Sequence, residues 1–138
     1  MNNKTIDNIE ELESVLNGIQ ELLVTGVTEI MTDSADDIVN NTKKRTNRIT
    51  GKLQDSWQHE EVKVNKKGNF SVEIGSDCEY AKFVEEGHRQ EVGRYVPAIG
   101  KKLKAPFVKG KHMLGDSITQ EEDNLQKNID ELLKDVFE

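Results

Sequence analysis

Cysteine is all but missing from this 138-residue chain. Cys78 stands alone, which excludes an internal disulfide and fits a reducing cytoplasm. The three histidines, His59, His88 and His112, have no metal-ligand spacing, and no HExxH or CxxC pattern occurs, so neither a metal nor a cofactor is expected. Aromatic residues make up only 5% of the chain and hydrophobic residues 34%, against 33% charged. Such a chain is expected to be soluble and to lean on neighbours for part of its burial. No apolar run approaches the roughly 18 residues needed to span a bilayer. The opening MNNKTIDNIEELES has no apolar signal core, so neither membrane contact nor export is expected. The glycines at 87, 93, 100, 110 and 115 match neither a dinucleotide fingerprint nor a phosphate loop and read as turn punctuation.

Charge is plentiful and arranged in blocks. The formal net charge is −7. Residues 1–42 hold one basic side chain against nine acidic, and 43–70 hold eight against three. Residues 71–87 hold one against five, 88–112 seven against one, and 113–138 two against eight. Each block read alone is a solvated face. Read together, they suit head-to-tail self-association, with complementary charge setting register more than affinity.

The length fits one domain, 1–138, in three parts: a helical region over 1–47, a sheet with a long basic loop at 88–104 over 48–110, and a C-terminal helix over 111–138. Ile6, Ile9, Leu12, Leu16, Ile19, Leu23, Val27 and Ile30 recur at helical steps, so 5–31 reads as an amphipathic helix. Gly26 weakens its later turns, and a bend or pause is expected near Val24–Thr28. A second helical stretch over 33–47 would start at Asp33 or Ser34 and end among Lys43, Lys44, Arg45 and Arg48. Strands Ser56–Val64 and Asn69–Gly75 flank Asn65-Lys66-Lys67-Gly68, a hairpin loop with glycine where φ must be positive. Glu79–Glu86 reads as a short helix or turn in which Tyr80, Phe83 and Val84 share a face, and Gly87 ends it. An edge strand is expected near 104–108, anchored by Phe107 and confined to an edge by Pro106. The fold class is α+β, with a small, mostly antiparallel sheet (hairpin about 56–75 plus the edge strand) packed by the two helical regions.

The stretch His88–Ser117 shows little helical period or strand alternation, yet holds most of the specific-looking residues. A loop of this length inside a domain is usually functional or disordered. Arg89, Arg94, Tyr95, Lys101, Lys102 and Lys104 are its candidate contact residues, because a tyrosine flanked by arginine is a typical interface anchor. The basic 88–112 segment with interleaved Tyr95 and Phe107 also suits a nucleic-acid-binding regulator, although the chain as a whole is acidic and offers no reading helix. A Cys78–His88 nucleophile pair lacks an orienting third group, and Asp77 and Glu79 disfavour a thiolate. The adjacent Glu85 and Glu86 read as an exposed helix end rather than a catalytic pair. No enzyme is expected.

Three segments, ITGKLQDSW (Ile49–Trp57), YAKFVEEGHRQ (Tyr80–Gln90) and GRYVPAIGKKLKAPFVKGKHML (Gly93–Leu114), resemble the head–tail joining, or tail-completion, proteins of tailed phages and of prophages in Gram-positive bacteria. Thr50, Gly51, Leu53 and Ser56 match the TG-x-L-x-x-S motif at the entry to a hairpin. Tyr80, Ala81, Val84, Glu85 and Gly87 match the YA-x-x-VE-x-G motif that closes the sheet. Pro106 and Phe107 sit where a P-F pair opens the last helix. Order and spacing agree over roughly 33–137. The helix at 5–31 is longer than the family pattern, and VKGKHMLGDS is an insertion before the last helix. The resemblance implies a virion structural protein, assembled in the bacterial cytoplasm and placed at the neck. It implies a ring of about six copies, which a closing head-to-tail interface produces. The implied partners are head connector or stopper proteins and tail tube or terminator proteins, with only non-specific contact to DNA passing the lumen. A tail terminator capping the tube is the alternative within the same class.

Overall fold

The computed structural model describes residues 9–46, 51–89, 95–96, 101–102 and 107–138. In chain order the elements are α1 (Ile9–Arg45), α2 (Lys52–Ser56), β1 (Trp57–His59), β2 (Lys63–Val64), β3 (Phe70–Ser71) and β4 (Ile74–Ser76). Then follow α3 (Ala81–Glu86), β5 (Gly87–Arg89), β6 (Tyr95–Val96), β7 (Lys101–Lys102), β8 (Phe107–Lys109) and α4 (Met113–Phe137). Two long helices with short antiparallel ladders make the α+β class expected from the sequence.

α1 runs unbroken where the sequence suggests two helical stretches. It is one helix of 37 residues, about 55 Å long at 1.5 Å per residue. The pause at Gly26 and the fresh start at Asp33 or Ser34 do not occur. Gly26 lies where α4 crosses, and a Cβ there would stand 2.7 Å from Leu132 Cδ1. Close helix contact outweighs the cost of about 1 kcal/mol that glycine carries in a helix. Ser34 is buried on the packed face rather than capping anything. The two helices run antiparallel: Gly26 faces Leu132, while Arg45 Nη2 donates to Gln120 Oε1 at 2.8 Å.

Ala35, Ile38, Val39 and Thr42 of α1 are buried, as are Met113, Ser117 and Glu121 of α4. Steps of three and four put each set on one helix face. Two hydroxyls in this layer are satisfied within their own helices, whereas Ser34 Oγ is buried without a hydrogen-bond partner among the described residues. Thr42 donates to Ile38 O at 2.7 Å and Ser117 to Met113 O at 2.8 Å, so their burial carries no unpaired-donor cost. The main apolar cluster is Val39, Leu53, Trp57, Cys78, Ala81 and Met113, with Ile74, Tyr80, Val84 and Leu114 packed on it. Trp57 Nε1 donates to Thr46 Oγ1 at 2.9 Å, which lets the indole bury without an orphan N–H.

The hairpin forms where expected, but its first strand is divided. Ser56 ends α2, and β1 and β2 are separated by Glu60–Val62. Trp57 pairs with Ser76 and His59 with Ile74, whereas Lys63 pairs with Ser71 and Val64 with Phe70. Residues 60–62 therefore stand opposite 72–73, one residue in excess, which is a β-bulge. The bulge carries the face of 57 and 59 over to 62 and 64. Val62 and Val64 thus stay on the face of Phe70, Val72 and Ile74. At the tip, Asn65 Oδ1 accepts from the N–H groups of Lys67 and Asn69, both at 2.9 Å, and Gly68 has φ +83°.

The basic segment is not all loop. The segment expected to be loop over 88–104 contains β5, β6 and β7. β5 pairs with β8 (Gly87↔Lys109, Arg89↔Phe107), and within that interval β6 pairs with β7 (Tyr95↔Lys102, Val96↔Lys101). The strand expected near 104–108 is Phe107–Lys109, and its partner is β5 rather than the 57–76 hairpin. Lysines and glycines hide the alternation here, while local antiparallel pairing supplies the backbone partners.

Candidate functional site

The basic ribbon β5–β8 is rooted in the α3 motif. Ala81 is buried, Tyr80 and Val84 pack on the core, and Gly87 ends α3 at φ +88°, a conformation suited to glycine. From there α3 grips the chain entering α4. Lys111 N donates to Val84 O at 2.8 Å and His112 N to Glu85 O at 3.1 Å. The Glu85 carboxylate accepts from Leu114 N at 3.0 Å and Gly115 N at 2.9 Å. His112, in a left-handed conformation, offers α4 no side-chain cap, so Glu85 caps the helix from a different element. A Cβ at Gly110 would collide with Glu85 O and the backbone beyond it, so glycine permits this approach.

The other motif fixes the far end of the hairpin. Gly51 has φ +82° and leads into α2 rather than directly into a strand. Leu53 is buried in the core. Ser56 Oγ donates to Leu53 O at 2.6 Å and lies against Ser76 Oγ, which accepts from Cys78 N at 3.0 Å. Thr50 lies outside the described residues.

Of the nominated contact residues, Arg89 is exposed on β5 and Tyr95 is 57% exposed on β6. Lys101 and Lys102 form β7, opposite Val96 and Tyr95. Arg94, Lys104 and Pro106 lie outside the described residues. Two aromatic expectations are corrected: Phe83 is 54% exposed instead of sharing a packed face with Tyr80 and Val84, and Phe107 is 53% exposed instead of anchoring an edge strand. Six-residue α3 has room for few inward positions, and Ala81 and Val84 occupy them. Phe107 is directly opposite Arg89, so both share a face with Lys109. The ladder thus presents an aromatic ring between two cations to solvent.

Sequence reasoning placed Glu85 in the YA-x-x-VE-x-G motif but read it as an exposed helix end, and so missed its capping role. The signal for it was the poor capping residue ahead of Met113, which leaves orphan N–H groups in need of an acceptor.

Asp37 of α1 and His59 of β1, which reaches α1, both have raised pKa values. His59 Nε2 is 2.6 Å from Asp36 Oδ1, and Nδ1 is 2.7 Å from Glu60 O. Both partners accept, so the imidazolium is favoured: the Glu60 carbonyl first, then Asp36, push the pKa up. Asp37 is also pushed up, first by burial and then by the neighbouring Glu121, whose Oε1 accepts from Asn124 Nδ2 at 2.8 Å. Among the described residues no helix is long and apolar enough to cross a membrane.

A comparison with protein families matches residues 4–87 to the HK97-gp10-like family, whose description reads "Bacteriophage HK97-gp10, putative tail-component". Searches of curated proteins and of solved structures found no match. The matched span covers more than half of the chain, including α1, the hairpin and both motifs, and stops where the ribbon begins. The chain belongs to the HK97-gp10-like family of bacteriophage tail components.

Proposed function

We propose that this tail component acts at the virion neck, where a ring of about six copies completes the tail and joins it to the head connector. Residues 1–138 act as one domain in that ring. Its neighbours are connector or stopper proteins on one side and tail tube or terminator proteins on the other. DNA passing the lumen makes only non-specific contact, and the protein's role is structural rather than catalytic. Assembly takes place in the bacterial cytoplasm.

The observation that carries this reading is the ribbon. Arg89, Tyr95, Phe107 and Lys109 are exposed on short ladders whose root is clamped by Glu85. Exposed aromatics beside cations on a held scaffold are what an interface anchor needs. Arg94, Lys101, Lys102 and Lys104 extend the same basic segment. Replacing Arg94 and Tyr95 together with alanine is expected to leave circular dichroism and the melting temperature unchanged and to block joining. Normal yields of infectious particles from that variant would remove the ribbon from the joining surface. The terminator reading draws on the same family match, because a tail component can equally cap the tube.

A further inference from the structure

The first half of α1 is only partly covered, and its opening turns are the most exposed. No residue from Ile9 to Asp33 is buried, whereas buried residues recur from Ser34 onward. Ile9, Leu12 and Leu16 are 73%, 42% and 55% exposed and lie at steps of three and four, so they form one apolar stripe. The stripe runs on into an open groove of about 340 Å³ between α1 and the hairpin tip, lined by Ile19, Leu23, Val64 and Phe70. Residues 9–24 contain four glutamates and no basic residue. Glu10 and Glu13 are exposed beside the stripe.

The ribbon is complementary in both respects. It offers exposed Phe107 and Tyr95 to an apolar surface, and exposed Arg89 and Lys109 to an acidic one. The two surfaces lie toward opposite ends of the molecule. The ribbon is rooted at the start of α4, beside the C-terminal half of α1. Leu12 and Thr42 are about 45 Å apart along the α1 axis. Complementary surfaces at opposite ends generate a heterologous, head-to-tail contact. A symmetric pairing of two stripes would instead set Glu10 and Glu13 of one copy against the same residues of the other. Lys66 on the hairpin rim places the acidic part of the receiving surface on the α1 side of the groove.

We propose that the acidic, leucine-lined face at the start of α1 receives the basic, aromatic ribbon of a second copy of this chain. The proposal rests on the ring reading above and names the two faces that make its repeated contact. Apolar burial gives the contact its affinity, and the Glu10/Glu13 to Arg89/Lys109 match sets register and encounter rate.

A charge swap in the full chain, carried by the parent phage, tests it. Glu10→Lys with Glu13→Lys, and separately Arg89→Glu with Lys109→Glu, are expected to fold and to lower infectious yield by at least about tenfold, since like charges then face each other. All four changes in one chain are expected to restore most of the yield. Failure of the fourfold variant to recover, or normal yields from both twofold variants, would overturn the pairing. The tail role would fall separately, if deleting the whole gene left particles unchanged. A photocrosslinker at Leu12 keeps the test independent of the charge variants. In particles assembled from mixed isotope-labelled copies, it should capture ribbon peptides of the other label. Capture of another virion protein, of the α1 face of a second copy, or of nothing would overturn the proposal.

Discussion

His59 shows how one side chain couples two elements and a solution condition. Its ring bridges β1 to Asp36 on α1, and both nitrogens face acceptors. The folded state therefore binds the His59 proton more tightly than the unfolded chain does. The stability this gives is complete below the ordinary imidazole pKa of 6.5 and is lost as pH rises through the higher folded value. The difference in unfolding free energy between the native chain and His59→Gln should be largest near about pH 6 and shrink by about pH 9. A difference that stays constant across that range would contradict the charged bridge. Asp37 has the same sign in a lower window, because the folded state also favours its protonated form. Single residues were legible where backbone chemistry is local. Gly68 and Gly87 each sit between elements and each has positive φ. Glu85 and Gly110 were not legible as partners, since their meeting depends on how the 24 residues between them fold back.

At the scale of elements, α4 owes its starting point to α3. Glu85→Ala removes an acceptor from two helix N-terminal amides and should cost about 1–2 kcal/mol, the range of a lost helix cap. Amide exchange at Leu114 and Gly115 should quicken, while Glu86→Ala leaves both exchange and the urea midpoint unchanged. Equal effects from the two substitutions would mean that the Glu85 contacts do not hold the helix. The helical period over 5–31 and the hairpin turn were legible in the sequence. The continuity of α1 was not, because Gly26 and Ser34 read as punctuation locally and are explained only by the helix that packs across them. The bulge left a trace that can be read afterwards: Trp57 and Val62 are five apart, an odd step that breaks strand alternation. The ribbon left almost none, because its strands are two or three residues long and carry several lysines.

At the scale of the whole molecule, charge segregation and topology point the same way. The antiparallel α1–α4 pair separates the acidic start of α1 from the basic ribbon, and both motifs lie between them as structural fasteners. The α+β class and the kinship with phage tail components were readable from TG-x-L-x-x-S and YA-x-x-VE-x-G, which specify turns and packing rather than contacts. The surface that meets a partner was only partly readable, since exposure depends on which side of a ladder each residue takes. The joining role itself is tested most directly by electron microscopy of particles from the parent phage or prophage with this gene deleted. The predicted result is DNA-filled heads beside free tails of normal length. Tails of uncontrolled length would contradict joining in favour of a terminator, and complete, joined particles would contradict both.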